Sequence, residues 1–201
     1  MIEMLGVLAI VGVLSVGGIA GYSKAMEKFK INKTIDEISH IVANIRTLYA
    51  QQTTYEGLDE TNAIKMGVIP DSLKTSNSWP TMINSFNGVV LIYQHHSGQR
   101  YFGISYNGLS KDACMSLATY NWGDKSSSGL IGITLANYNG VTDGFRVVDE
   151  YGFIMSKGCF DASSFLGSKV CIGEVMPVSH AAQICNGCDA TDGCGIAWTY
   201  Q

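Results

Sequence analysis

The sequence predicts an α+β protein with one long N-terminal α-helix and a globular head built on an antiparallel β-sheet. Three observations predict this class. The first fifty residues carry helical apolar patterns without a break, alternating strand patterns separated by turns begin near residue 88, and all six cysteines lie beyond residue 113. With 201 residues, the chain is long enough for one domain with a substantial core.

The first segment contains no charged residue from Met4 to Ser23. At about 1.5 Å per residue, a helix of this length spans about 30 Å, the thickness of a bilayer core. The stretch is followed at once by four lysines, Lys24, Lys28, Lys30 and Lys33. Their charges suit a helix that leaves an apolar phase beside headgroups. We therefore predict that residues 1–23 form a transmembrane helix.

This segment differs from a secretory signal peptide, the alternative interpretation, because it is too long, no basic residues precede it and no convincing cleavage site follows. Glu3 stands at its start, where a lone carboxylate at membrane depth costs about 2.5–3.5 kcal/mol, so we expect its charge to have a partner. Glycine recurs although alanine would stabilise a helix by about 1 kcal/mol per site. The pattern indicates close helix packing or, alternatively, local unwinding, at Gly6, Gly12, Gly17, Gly18 and Gly21.

The next segment, residues 24–52, changes to a single apolar stripe. Its members step by four and three residues, at Ile31, Ile35, Ile38, Val42, Ile45 and Tyr49. This period predicts that the helix continues to about Ala50 and packs its stripe on the head. Charged residues such as Asp36 and Glu37 lie mostly off the stripe, and His40 is expected to be a solvated helix residue.

The head, residues 53–201, begins its sheet with a hairpin: strands at 89–94 and 101–106 flank a turn at 96–99. Residues 111–119 are predicted to form a helix that is capped by Ser110. Cys114, Leu117 and Ala118 are expected to face inward. Further strands are predicted at 130–136, 144–148 and 152–155. The sheet is expected to lie on the second half of the long helix, because the apolar stripe of that helix must be covered.

The composition limits the classes of partner. The net charge is −4, so no overall basic field is present to hold nucleic acid, and we expect no nucleic-acid partner. Hydrophobic residues make up 46% and charged residues only 15%, against about 25% charged in ordinary soluble domains. An unusual share of the surface must therefore be covered, and the apolar first segment is the obvious place.

The six cysteines favour disulfides in an oxidising compartment, because an even number is crowded into the last ninety residues. Reduced core thiols are the alternative, which the Asn, Gly and Asp residues around the last three cysteines disfavour. The spacing Cys185-x2-Cys188-x5-Cys194 with His180 upstream would also permit zinc. Cys185 and Cys188 could instead form a redox pair, and Asp189, Thr191 and Asp192 offer oxygen ligands for calcium.

No catalytic motif is present: the sequence lacks a Gly-x-Ser-x-Gly elbow, a phosphate loop and a His-Glu-x-x-His helix. His95 and His96 are adjacent, so in strand geometry their rings point to opposite faces and cannot readily share a site. We therefore expect no enzymatic activity, no metal and no cofactor.

The first fifteen residues, Met-Ile-Glu-Met-Leu-Gly-Val-Leu-Ala-Ile-Val-Gly-Val-Leu-Ser, resemble the N-terminus of type IV pilins and pseudopilins. Processed members of that superfamily begin with an aromatic or Met residue followed by Thr-Leu-Ile-Glu and a long apolar helix. The chain starts about two residues later than this pattern and lacks the Gly-ended leader, so we expect a processed or trimmed N-terminus. In this alignment Glu3 takes the position of the family's glutamate.

The head resembles type IVb pilins. The segments that carry this resemblance are 55–58 (Tyr-Glu-Gly-Leu), 67–70 (Gly-Val-Ile-Pro), 84–90, 108–114 and 185–200. The resemblance implies that Cys114 and Cys185 are the family's disulfide cysteines. We expect the other pairs to be Cys159 with Cys171 and Cys188 with Cys194, although six cysteines allow 15 pairings.

The resemblance implies a major pilin that is held in the inner membrane, is processed by a prepilin peptidase, and is assembled by an ATP-driven machinery into an extracellular homopolymer. Residues 1–23 would then form the core of that filament. Glu3 would neutralise the N-terminal amine of a neighbouring subunit. The helix would melt locally between Gly12 and Gly21, although Ala20 stands where many relatives have proline. The alternatives are a minor or tip pilin or adhesin with a receptor-binding head, and a type II secretion pseudopilin.

Overall fold

The computed structural model describes residues 2–75, 82–94, 100–136, 157–162, 168–173, 175–188 and 193–201. Its first element, α1 (Ile2–Leu48), is one helix of 47 residues. The predicted continuity of the helix is thus confirmed, and its end lies two residues before the predicted Ala50. The division of the chain at residues 23 and 52 remains a prediction.

The second half of α1 packs on the head through the predicted stripe. Ile38 and Ile45 are fully buried, and Ile31 and Val42 nearly so. Three residues outside the predicted stripe are also buried: Thr34, Ile41 and Glu37, the last of which was placed off the stripe by its charge. His40 is exposed, as expected for a solvated helix residue.

The head contains an eight-stranded sheet in which every described pairing is antiparallel. Its spatial order is β1-β2-β3-β4-β8-β5-β7-β6. The strands are β1 (Lys74–Thr75), β2 (Met82–Ile83), β3 (Val89–Gln94), β4 (Phe102–Leu109), β5 (Leu130–Ala136), β6 (Gly158–Ala162), β7 (Ser168–Ile172) and β8 (Cys194–Tyr200).

The predicted strands at 89–94, 101–106 and 130–136 are confirmed as β3, β4 and β5. Those predicted at 144–148 and 152–155, and the turn at 96–99, lie outside the described residues. The β6–β7 hairpin was not predicted. Since β8 lies between β4 and β5, it joins the two parts of the sheet.

The described part of the head also contains three short helices: α2 (Glu60–Lys65), α3 (Lys111–Ala118) and α4 (Val178–Cys185). The prediction for α3 is confirmed in detail. The Ser110 side chain accepts a hydrogen bond from the backbone N–H of Ala113, which caps the helix, and Cys114, Leu117 and Ala118 are fully buried.

One hydrophobic core joins the stripe of α1 to the sheet and to α3 and α4. Aromatic rings dominate its centre. The indole of Trp198 on β8 packs edge-on against the rings of Tyr106 on β4 and Trp122 after α3, with centroids 6.1 and 5.1 Å away. Such pairs add about 0.5–1.5 kcal/mol each beyond the burial of their area. The head is therefore fastened to α1 by a continuous apolar interior.

Candidate assembly surface on the long helix

The first half of α1 presents large apolar side chains to its surroundings. Val13 is 75% and Ile19 68% exposed, whereas Ile38 and Ile45, in the stripe further along the same helix, are fully buried. The apolar side chains exposed in this way are Val7, Ile10, Val11, Val13, Leu14, Val16, Ile19 and Tyr22. We call residues 2–23 the assembly segment. An apolar surface of this extent indicates an interaction site, because a monomeric soluble protein rarely exposes one.

Among the described residues, no helix combines the length and apolarity needed to cross a membrane. That residues 4–23 cross a bilayer stays a prediction.

The predicted glycines of the assembly segment all lie inside the continuous helix. Apart from the neighbouring backbone of the helix itself, a Cβ atom built on Gly12, Gly17, Gly18 or Gly21 would meet no described atom within 4 Å. Nothing within one copy therefore requires glycine at these positions. Glu3 lies in the first turn of α1, on the same segment.

The helix is held to the head by polar contacts as well as by its stripe. One turn beyond the assembly segment, Ser110, the cap of α3, donates its hydroxyl hydrogen to the Glu27 carboxylate. Near the last turn of the helix, Asn44 donates to the backbone oxygen of Val68 at 3.2 Å, and one guanidinium nitrogen of Arg46 donates to the backbone oxygen of Ser128 at 2.7 Å. These contacts fix the direction in which the assembly segment leaves the head.

The most buried of these contacts is centred on Glu37. Its Oε1 accepts a 2.6 Å hydrogen bond from the Ser72 hydroxyl and lies 3.7 Å from Nζ of Lys33. Its Oε2 accepts from the Tyr106 hydroxyl on β4 at 3.4 Å. Burial first, and then the charge of the nearby Glu37 carboxylate, raises the pKa of Tyr106 well above its usual value of 10. Tyr106 therefore stays protonated and continues to donate.

The cysteines form three disulfides, in the pairs that the sequence analysis expects. Cys114 on α3 joins Cys185 at the end of α4, Cys159 joins Cys171 across β6 and β7, and Cys188 joins Cys194 at the start of β8. The first bond links residues 71 positions apart and both of its cysteines are fully buried. It therefore links α3 to α4, and α4 directly precedes the central strand β8.

The structure alters the grouping considered for zinc. His180 does not join Cys185, Cys188 and Cys194; instead, one of its ligand atoms lies close to the sulfurs of Cys159 and Cys171. Because all six cysteines are in disulfides, none offers a thiolate in this state. Residues 189–192, considered for calcium, and His95 and His96 lie outside the described residues.

Comparison with known proteins places these features in a family context. The family model described as Bundlin matches residues 23–151. Two relatives described as "Major structural subunit of bundle-forming pilus", from Escherichia coli O111:H- and Escherichia coli O127:H6 (strain E2348/69 / EPEC), are each 29% identical over 151 residues. The match covers 75% of this chain and 77% of each relative.

Two solved structures also resemble the chain. TcpA, a type IV pilin from Vibrio cholerae El Tor biotype, matches with a TM-score of 0.50 and 15% identity, over 86% of this chain and 99% of that one. The type IV b pilin from Salmonella typhi matches with a TM-score of 0.47 and 15% identity, over 81% and 95%. At this identity, the likeness to TcpA supports the fold alone.

Proposed function

The chain belongs to the Bundlin family of type IV pilins, and from this premise we propose that it is the major structural subunit of an extracellular type IV pilus. One structural observation carries the proposal: the assembly segment exposes its apolar side chains, whereas the second half of the same helix is buried on the head. A subunit of this shape needs an apolar partner along half of its helix. Other copies of the same segment supply that partner in a filament.

The energetic basis is the removal of apolar surface from water. Burial contributes about 25 cal/mol per Å² only where water would otherwise touch the surface. The open space around Gly12, Gly17, Gly18 and Gly21 would let the backbones of neighbouring helices approach closely, which favours contacts through dispersion. The glycines of the segment are thus proposed to be contact positions between copies.

Glu3 is proposed to pair its carboxylate with the N-terminal amine of a neighbouring subunit and so to set the axial register of the filament. An unpaired carboxylate inside an apolar filament core would be strongly unfavourable, which makes the pairing selective for one register. This role follows the family pattern of an acid near the start of the apolar helix.

Replacement of Glu3 tests this role. We expect Glu3→Ala to abolish filaments or reduce their yield severely, measured as pilin in the sheared fraction relative to total pilin. Glu56→Ala, at an exposed acid on the head, is the control and should leave the yield unchanged. Normal filament growth in the Glu3→Ala strain would contradict the proposed pairing.

Before assembly, we propose that the subunit is held at the inner membrane through residues 4–23, processed by a prepilin peptidase and extracted by an ATP-driven machinery. These partners come from the family and concern the unassembled state. Cell fractionation tests the stage: in a strain without the assembly ATPase, the full chain should accumulate with the inner membrane. Its recovery from the periplasm instead would contradict this part of the proposal.

The distinction between a major subunit and a minor, tip or secretion-system subunit depends on abundance. Mass spectrometry of sheared, purified filaments is the decisive measurement, because a major subunit must dominate the preparation. Detection of this chain only as a trace component, in filaments built from another protein, would exclude the major role.

A further inference from the structure

We propose that Cys159, Cys171 and His180 form a redox-gated site for a soft divalent metal ion such as Zn²⁺. The site is closed while the two cysteines are joined as a disulfide and opens when the disulfide is reduced. The proposal is independent of the role of the chain in a filament, because it concerns a corner of the head away from α1.

The backbone brings these three residues together from three elements. Cys159 on β6 lies directly opposite Cys171 on β7 in the antiparallel register, and the two are disulfide-bonded. Helix α4 packs against β7 and carries His180 in its first turn. As a result, the two sulfurs and one ligand atom of His180 all lie within 4.8 Å of one another. Small side-chain rotations would bring three such atoms to the distances of a zinc site, about 2.0–2.3 Å from the metal.

A second observation points to a ligand at this place. Nδ1 of His180 is buried and finds no hydrogen-bond partner among the described residues. Leaving a polar group buried without a partner is unfavourable, and such a group in a folded protein calls for an explanation. A metal ion, or a thiol that is present only after reduction, provides a partner for the imidazole.

The chemistry proceeds in two balanced steps. A dithiol reductant gives two electrons and two protons to the Cys159–Cys171 bond, which breaks into two thiols while the reductant becomes a cyclic disulfide. The metal ion then displaces the two thiol protons and is bound by two thiolates and the neutral imidazole. Three protein ligands leave a fourth tetrahedral position for water.

The Cys159–Cys171 disulfide is more accessible to a reductant than the Cys114–Cys185 disulfide. Cys159 is only partly buried and β6 is an outer strand of the described sheet, so a reductant can approach. Cys114 and Cys185 are both fully buried. Selective reduction at the β6–β7 pair is therefore expected under mild conditions.

The test uses the full chain in which Cys188 and Cys194 are replaced by serine, so that only one accessible disulfide remains. The protein is treated with a phosphine, which becomes a phosphine oxide as the sulfurs are reduced and does not itself compete as a thiol ligand. Alkylation followed by mass spectrometry confirms that Cys114–Cys185 is intact. Co²⁺ is then added as a spectroscopic substitute for Zn²⁺.

We expect one equivalent of Co²⁺ to bind with the absorption of a tetrahedral thiolate complex, Zn²⁺ to displace it, and the oxidised chain to bind none. His180→Ala should weaken binding about tenfold or more, and Cys159→Ser should remove the thiolate absorption of a two-sulfur site. His40→Ala, at an exposed histidine of α1, is the matched control and should bind like the parent. His180→Ala is compared with the parent in its oxidised form by circular dichroism to show that it folds.

Two results would overturn the proposal. One is the absence of Co²⁺ binding by the reduced, folded chain. The other is equal affinity in the parent and in a folded His180→Ala variant, which would assign any binding to the cysteines alone.

Discussion

Glu37 is an acid buried at the contact between the long helix and the head, with 3% of its side chain exposed. It accepts hydrogen bonds from Ser72 and Tyr106, whose own hydroxyls are directed at it. Glu37→Ala would remove the acceptor for both, and hydrogen bonds to charged groups contribute about 1.5–3 kcal/mol each. We expect the variant to lose about 2–4 kcal/mol of unfolding free energy, measured by denaturant unfolding.

Lys33→Ala provides the matched control for Glu37. The lysine lies on the same helix and pairs with the same carboxylate, but its side chain is 31% exposed, so we expect a loss of only about 0–1 kcal/mol. Equal losses in the two variants would show that the ion pair, rather than the buried hydrogen bonds, provides the stability.

Asp124 offers a second test at a single residue. Its carboxylate accepts from the Ser126 hydroxyl, and from the backbone N–H and hydroxyl of Ser127, in an exposed turn. The Ser126 hydroxyl, followed by the Ser127 donors, lowers the pKa of Asp124 from 3.8 to about 2. Because the folded value is depressed, the stabilising contribution is present above pH 3.8 and is lost as the pH falls through about 2.

The measurement for Asp124 is an NMR titration of its carboxyl carbon. We expect a midpoint near 2 in the parent, and a higher midpoint in Ser126→Ala. Ser116→Ala, at an exposed serine of α3, should leave the midpoint unchanged. An unchanged midpoint in Ser126→Ala would assign the depression to the donors of Ser127 and the backbone N–H of Ser126.

The apolar residues of the helix stripe could be predicted from the sequence, but the burial of Glu37 could not. Its position between Asp36 and Ile38 gives no local sign of burial, because the groups that satisfy it lie 35 and 69 residues further along the chain. In the alternative of a zinc site, His180 was grouped with Cys185, Cys188 and Cys194 for a related reason. Its neighbours in sequence are Cys185 and Cys188, whereas the packing of α4 on β7 places it beside Cys159 and Cys171.

Among the elements, the disulfides differ in how much of the chain they constrain. In the chain-entropy model the stabilisation grows with loop length, and the three bonds close loops with separations of 71, 12 and 6 residues. We expect removal of Cys114–Cys185 by double replacement with Ala to cost about 4 kcal/mol, and removal of Cys188–Cys194 about 2 kcal/mol.

Thermal or denaturant unfolding of the two double variants checks this order. The intact third pair, Cys159–Cys171, is common to both and serves as the internal control. A larger loss from the short loop than from the long one would contradict the entropic account, and would indicate that local packing around Cys188 governs the effect.

The elements that could be predicted are those with a long or regular pattern. The stripe of α1 runs for several turns, and β3, β4 and β5 are apolar runs bounded by turn residues. By contrast, α2 has six residues and α4 eight, too few for a period to be read reliably. The strands β6 and β7 carry little apolar alternation and are held mainly by pairing with each other and with β5.

For the molecule as a whole, the buried tyrosines predict loss of stability at alkaline pH. Burial raises the pKa of both Tyr106 and Tyr200 above the usual value of 10. An unfolded chain therefore releases these protons at lower pH than the folded chain does. The stabilising contribution is complete below pH 10 and falls as the pH rises towards the folded values, by about 1.4 kcal/mol per pH unit for each tyrosine.

The free energy of unfolding, measured between pH 7 and pH 11, should thus be flat before it declines. Tyr200→Phe keeps the ring but removes one titrating group, so the decline should be shallower. Tyr120→Phe, at a ring exposed on the surface, should decline as the parent does. An equally steep decline in Tyr200→Phe would assign the alkaline transition to other groups.

The place of β8 in the sheet has a consequence for biogenesis. This strand is translated after all the other described strands, yet it occupies the middle of the sheet, where β4 and β5 each pair with it. The sheet therefore cannot be completed until residues 194–200 are available. A product that stops before residue 194 would leave two separate part-sheets with open edges, and Cys188 without its partner. An incomplete chain therefore cannot form the complete head.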